Sequence, residues 1–290
     1  MTEPFEVTAE HRCAGGMQRF YKHDSTQIGL PMRFAVFLPP QAQTSKVPAL
    51  LYLAGLTCTE ETFPIKAGAQ RKAAQLGLAL ITPDTSPRGA NIHGESDSWD
   101  FGVGAGFYLD ATQAPWDRHW RMESWLIDEL LPLLFDHLPI DADRLGVFGH
   151  SMGGHGALTL ALRHPDRFKS VSALAPICAP SRCPWGEKAF TGYLGSDQTH
   201  WAAHDATELM ARQARAPWPG GLLIDQGLAD KFLAEQLHPH LFEAACKQVG
   251  QPLTLRTHEG YDHGYFFIQS FVDDHLAHHD RILRSVSAKG

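Results

Sequence analysis

Cysteine, long apolar runs and net positive charge are all scarce in this chain, and each shortage argues against a class of protein. Its 290 residues hold five cysteines, an odd number with no paired metal-ligand spacing, which fits a reduced compartment better than a disulfide framework. Lys and Arg number 25 against 32 Asp and Glu, a formal net charge of −7, which offers no electrostatic footprint for nucleic acid or an anionic membrane. Glu3, Glu6, Glu10 and Arg12 interrupt the apolar residues of 1–16, so no signal-peptide core forms there, and no later run approaches membrane-spanning length. The expected setting is cytoplasmic, with neither nucleic acid nor membrane as a partner. Repeats and low-complexity segments are lacking too, and only residues 285–290 read as a frayed tail.

What is present is a repeated strand-to-helix pattern. The chain is longer than most single domains, but α/β folds reach this length around one core, so one domain over residues 1–290 is expected. Strands at 5–8, 17–21 and 32–38, the last stopped by Pro39 and Pro40, predict an antiparallel entry to a sheet. From Ala49 the elements alternate: strand 49–54 then helix 70–76, strand 79–82, helix 121–138, strand 144–148 then helix 154–163, strand 169–174, strand 221–225 then helix 233–249, and strand 253–257 then helix 265–283. The fold class is therefore α/β, a mainly parallel central sheet flanked by helices on both faces. Sites in such sheets form at the carboxyl ends of strands.

Residues 85–116, rich in Gly, Asp and Trp, carry almost no periodicity, and a loop that long is usually functional or disordered. Its Gly102-x-Gly104-x-Gly106 run follows no strand and lacks the spacing of a phosphate cradle. It reads as a tight active-site loop or a surface turn.

Gly149-His150-Ser151-Met152-Gly153 is the most informative stretch, a Gly-x-Ser-x-Gly pentad between a strand and a helix. So sharp a hairpin forces the serine into a strained conformation and needs small neighbours, because a Cβ there would strike the adjoining elements. Ser151 is thereby held up as a nucleophile; the plainer alternative is a turn whose serine caps the next helix. A serine hydroxyl needs an imidazole to take its proton and a carboxylate to orient that imidazole. On a doubly wound sheet the acid and then the histidine follow the serine in chain order. After strand 221–225 come two acids, Asp225 and Asp230; after strand 253–257 come two histidines, His258 and His263. Asp230 in the loop proper is favoured over Asp225 on the strand, and His263 beside Gly264 over His258. Two amides must also face the oxygen that becomes negative: that of Met152, after the nucleophile, and one from the loop after an early strand, where Leu56 follows Gly55.

These residues resemble the S-formylglutathione hydrolase (esterase D) family, serine hydrolases on the α/β-hydrolase fold. The resemblance rests on LAGLTCTEETF from Leu53, WDFGVGAGFY from Trp99, GHSMGGHGAL from Gly149, the segments 175–180, 183–190, 224–227 and 230–233, and EGYDH from Glu259, which in order span nearly the whole chain. It implies Ser151, Asp230 and His263 as the triad, with the Leu56 and Met152 amides as the oxyanion hole. It also implies hydrolysis of S-formylglutathione to glutathione and formate, the second step in clearing formaldehyde, with no metal or organic cofactor and with a homodimer as the assembly. Its nearest rivals are a general short-chain carboxylesterase and an acyltransferase of the same fold; a binding protein that has lost catalysis is a distant third.

Lesser features carry two readings each. Cys58 is a thiol whose modification would block the site or a small buried hydrophobe, and Trp185 is a wall of the substrate pocket or ordinary packing. Arg88, Lys188 and Lys231 are available to meet the carboxylates of glutathione. His275, His278 and His279 share a helical face with metal-like spacing, but read as a solvated helix end.

Overall fold

In the computed structural model, which describes residues 4–287, three N-terminal strands lead antiparallel into the sheet: β1 (Glu6–Cys13), β2 (Gly16–Asp24) and β3 (Pro31–Leu38). They are followed by β4 (Val47–Leu53), β5 (Ala79–Pro83), β6 (Ile140–His150), β7 (Ser170–Leu174), β8 (Leu222–Gly227) and β9 (Leu253–His258). All nine lie in one sheet of order β1-β2-β3-β5-β4-β6-β7-β8-β9. β3 meets β5 antiparallel, and the remaining pairings from β5 to β9 are parallel. β5, β7 and β8 are buried along their whole length, as expected of parallel strands with helices on both faces, and their apolar runs show no alternation for that reason. The edge strand β1 is mostly exposed and carries Glu6, Glu10 and Arg12, charges that discourage pairing with a second sheet.

The chain winds from β4 outward to β5 and then returns to place β6 on the other flank of β4. That reversal opens a crevice at the carboxyl ends of β4 and β6. The expected α/β-hydrolase architecture, with its antiparallel N-terminal strands, is the one observed.

The helices are α1 (Thr62–Lys66), α2 (Gln70–Leu76), α3 (Met122–Ser124), α4 (Leu131–His137), α5 (Met152–Arg163), α6 (Pro184–Leu194), α7 (Ala206–Ala211), α8 (Pro239–Val249) and α9 (Tyr265–Ser287). Three differ from expectation. The helix expected over 121–138 widens into a π-helical stretch, Trp125–Leu130, between α3 and α4; Pro132, just beyond it, has no N–H to bond a normal turn. The single helix expected over 233–249 is broken at His238, whose φ is 48°, because Pro239 pushes the preceding residue out of the helical region. α9 continues to Ser287, so the start of the tail expected over 285–290 is helical, and residues 288–290 lie outside the described residues. α6 and α7 were not anticipated. Their signals are short and local: Pro184 opens α6, and the Asp205 carboxylate caps α7 by accepting from the N–H groups of Thr207 and Glu208. No helix among the described residues is long and apolar enough to cross a membrane.

Candidate active site

β6 ends and α5 begins with no intervening loop, so the whole change of direction falls on Ser151, at φ 57° and ψ −120°. A non-glycine residue is strained in that region. The neighbours over-determine it: the Ser151 N–H donates to Leu174 O at 3.0 Å, and its carbonyl accepts from Ile177 N–H at 3.2 Å. Side chains flanking the serine would destroy the packing, since a Cβ on Gly149 would sit 2.2 Å from Gly153 O and one on Gly153 only 1.9 Å from Leu53 O. The elbow thus presses directly on the end of β4.

Met152 supplies the first N–H of α5, a donor with no intrahelical acceptor, at the end where the helix dipole favours negative charge. The loop after β4 approaches the same point, because a Cβ on Gly55 would lie 3.2 Å from Ser151 Cβ. Leu56 follows it. This loop is clamped from the far side: Thr57, itself at φ 69°, donates its N–H to Gly104 O at 2.9 Å, Thr85 Oγ1 donates to Cys58 O at 2.5 Å, and Tyr108 OH donates to Ala54 O at 2.8 Å. The clamp belongs to the aperiodic 85–116 loop. Tyr193 of α6 pins that loop, accepting from Gly102 N–H at 2.8 Å and donating to Ala105 O at 2.9 Å. The glycine run is thus part of a tight loop braced on the segment after β4, beside the candidate site.

Asp230 and His263 meet, with Oδ2 2.5 Å from Nδ1. Asp230 is 5% exposed and its carboxylate also accepts from Phe232 N–H at 2.8 Å and Gln226 Nε2 at 3.2 Å. With Nδ1 so occupied, Nε2 is the nitrogen left for proton exchange. The His263 ring lies 4.4 Å, centroid to centroid, from that of His150, the residue before Ser151. Among the described residues no hydrogen bond joins Ser151 Oγ to His263; in ligand-free sites such bonds are often long and tighten when substrate binds. Burial, reinforced by His263, holds the His150 imidazole well below its usual range, so it is a neutral neighbour at physiological pH.

The other acid and histidine are engaged elsewhere. Asp225 is ion-paired to Arg256 through both carboxylate oxygens, at 2.6 and 2.5 Å, and accepts from His275 Nε2 at 3.2 Å. Burial alone would raise this carboxyl, but the hydrogen bonds from His275 and Arg256 outweigh it and hold it below the carboxylate range. His258 faces Asp225 at 3.3 Å and stacks on Phe271 at 3.7 Å.

The histidines of α9 overturn one expectation. His275 and His279 are completely buried, not a solvated helix end. His279 bonds Ser170 Oγ at 2.6 Å and Ser172 Oγ at 2.9 Å, and His275 bonds Ser172 Oγ at 2.7 Å. The helical face that carries them lies on the sheet, where the β7 serines satisfy them, and no group of three His, Cys, Asp or Glu among the described residues could hold a metal ion.

Cys58 is partly buried, and burial pushes its thiol up despite the nearness of Tyr265 and Thr62, the opposite of an activated thiolate. Trp185 sits on α6; its ring packs 4.6 Å from Phe232, which packs 5.1 Å from His263. Of the three cations, Arg88 is held by Asp84 at 2.7 and 2.9 Å and Lys188 by Asp100 at 2.5 Å. Lys231 is exposed and lies over the Phe232 ring at 4.9 Å. Phe232 and Tyr265 were not foreseen as site residues; their positions beside Asp230 and His263 in sequence are the signal that could have found them. A cavity of about 600 Å³ between the β1–β2 turn, α2 and α9 contains none of these residues.

The family model described as "Putative esterase" matches residues 25–278. The S-formylglutathione hydrolase of Bos taurus is 52% identical over 278 residues, covering 94% of this chain and 97% of its own. The chain belongs to the S-formylglutathione hydrolase family of esterases. The family relative from Arabidopsis thaliana is 52% identical over 92% of this chain and 94% of its own. The solved structure of an S-formylglutathione hydrolase from Agrobacterium tumefaciens superposes with a TM-score of 0.93 at 47% identity, covering 96% of this chain and 99% of that one. That structure and this chain share the α/β-hydrolase fold over nearly their full lengths.

Proposed function

We propose that the chain is a single-domain, cytoplasmic serine thioesterase that hydrolyses S-formylglutathione to glutathione and formate through a formyl-serine intermediate, acting as a homodimer. Ser151 Oγ attacks the formyl carbon while His263 Nε2 takes its proton; Asp230 fixes the tautomer and stabilises the imidazolium. The Leu56 and Met152 amides receive the developing oxyanion, and each such donor is worth about 3 kcal/mol in the transition state. Collapse of the tetrahedral intermediate expels glutathione thiolate, a good leaving group that His263 protonates with little demand on its acidity. Water, deprotonated by His263, then attacks the formyl-serine, and formate departs with Ser151 regaining its proton. A formyl carbonyl is small and electrophilic, so the reaction needs alkoxide generation and oxyanion stabilisation more than room.

The observation that carries this reading is the 2.5 Å contact of Asp230 with His263, set beside the elbow that strains Ser151. Comparing kcat/KM for S-formylglutathione with that for a short acetyl ester tests it. A preference for the thioester of about 10²-fold or more is expected; a preference for the ester would make the chain a general carboxylesterase, and net transfer of the formyl group to added alcohols would make it an acyltransferase.

A further inference from the structure

The glutathione part of the substrate is a tripeptide that carries two carboxylates, and holding it calls for cations near the reacting carbonyl. Two of the three cations available by sequence are consumed: the Arg88 guanidinium by Asp84, with a further bond to Cys58 O at 3.3 Å, and the Lys188 ammonium by Asp100 and Ser98. Lys231 has no carboxylate partner among the described residues. Its ammonium lies 4.9 Å over the ring of Phe232, which touches His263 at 5.1 Å and Trp185 at 4.6 Å. Trp185 in turn meets Trp99 at 5.4 Å, and Trp99 is 54% exposed, so an aromatic strip runs from the imidazole to solvent with this cation upon it.

A second wall repeats the arrangement. Tyr265 packs 6.5 Å from the His150 ring, and Lys66, exposed and likewise without a carboxylate partner among the described residues, lies 5.7 Å over the Tyr265 ring. α1 is tied there by Gln269 Nε2, which donates to Lys66 O at 2.5 Å. Each of the two aromatic rings that meet the paired imidazoles at the elbow is thus topped by an ammonium group. Both cations remain free to bind an anion, because a ring face attracts an ammonium only weakly at an exposed site.

We propose that Lys231 and Lys66 form a two-point seat for the carboxylates of the glutathione moiety, one at each aromatic wall, and so set the preference for a glutathione thioester over an uncharged ester. This rests on S-formylglutathione being the substrate. The lysines act in binding alone, and the formyl transfer at Ser151 proceeds as before.

The test compares wild type, Lys231→Gln, Lys66→Gln, the double variant and Lys231→Arg with Lys66→Arg on two substrates: S-formylglutathione and its derivative with both carboxylates esterified. Each glutamine variant is expected to lose about 5-fold in kcat/KM on the charged thioester, through KM with kcat retained, and the double variant about 25-fold. Arginine should restore most of the loss, and the esterified substrate should not discriminate among the proteins. A double variant within twofold of wild type on the charged thioester, or one that loses equally on both substrates, overturns the seat. If wild type itself prefers a simple acetyl ester, the substrate reading fails first and this inference falls with it.

Discussion

Asp230 faces His263 at 2.5 Å, and the same pairing recurs five residues earlier on both strands, where Asp225 faces His258 at 3.3 Å. β8 and β9 run side by side in parallel, with Gly227 opposite His258, so at each of two levels the β8 end offers an acid and the β9 end a histidine. The two levels differ in their surroundings. The inner pair lies against Arg256, His275 and Phe271, which commits Asp225 to neutralising a guanidinium. The outer pair lies beside His150 and Phe232, at the elbow.

That difference separates two substitutions of the same kind. Asp230→Asn is expected to lower kcat by about 10⁴-fold, through the wrong imidazole tautomer, with little change in stability. Asp225→Asn should leave turnover per folded molecule nearly intact and destabilise the protein by about 3 kcal/mol, since Arg256, left with Asp274 alone, and the buried His275 lose the carboxylate they share. Thermal melts and active-site-titrated kcat measure both. A reversal of the two effects would exchange the roles of the acids.

Gly55→Ala tests the approach of the β4 loop to the elbow. The added methyl would sit 3.2 Å from both Ser151 Cβ and His150 Nδ1, and the elbow, packed on β4 and β7, cannot retreat. The Leu56 amide is then displaced, and kcat should fall about 10²-fold, the loss typical of one oxyanion donor. A kcat within threefold of wild type would remove Leu56 from that role.

Glu60, on the same loop, gives a pH-dependent prediction. Its carboxyl is pushed up to about 7 by burial and by the nearby Asp84, from 4.5 when unperturbed. Between those values the folded protein keeps a proton that the unfolded chain releases, so this group's contribution to stability falls as pH rises through the window, by about 3 kcal/mol in all. Glu60→Gln should therefore be more stable than wild type at pH 8, and the difference should vanish below pH about 4.5. Parallel melting curves for the two proteins across that range would contradict the assignment.

Trp185→Ala should raise KM for the thioester several-fold, because it removes the aromatic face that joins Phe232 to Trp99. Unchanged kcat and KM would reduce Trp185 to packing.

Much of this site was legible in the residue order because it depends on backbone rules. The pentad about Ser151 has few conformations open to it, and the acid and histidine must follow successive parallel strands. Choosing Asp230 over Asp225 was less secure, since what separates them is the position of Arg256 and His275, residues distant in sequence. The α9 histidines were misread for the same reason: metal-like spacing on a helix says nothing of whether a sheet serine faces it, and Ser170 and Ser172 do. Nor could the order of residues show that Asp84 and Asp100 occupy two of the three candidate cations. Pro132 and Pro239 are plain in the sequence, but that one adjoins a widened turn and the other a break in the helix depends on packing that residue order does not display.

The most direct test is to mix enzyme with S-formylglutathione, quench within the first turnover and map the acyl group by mass spectrometry. A formyl adduct on Ser151 is expected in wild type, and it should fail to form at a comparable rate in His263→Ala. An adduct on another residue, or undiminished acylation of Ser151 without the His263 imidazole, would contradict the assignment of nucleophile and base.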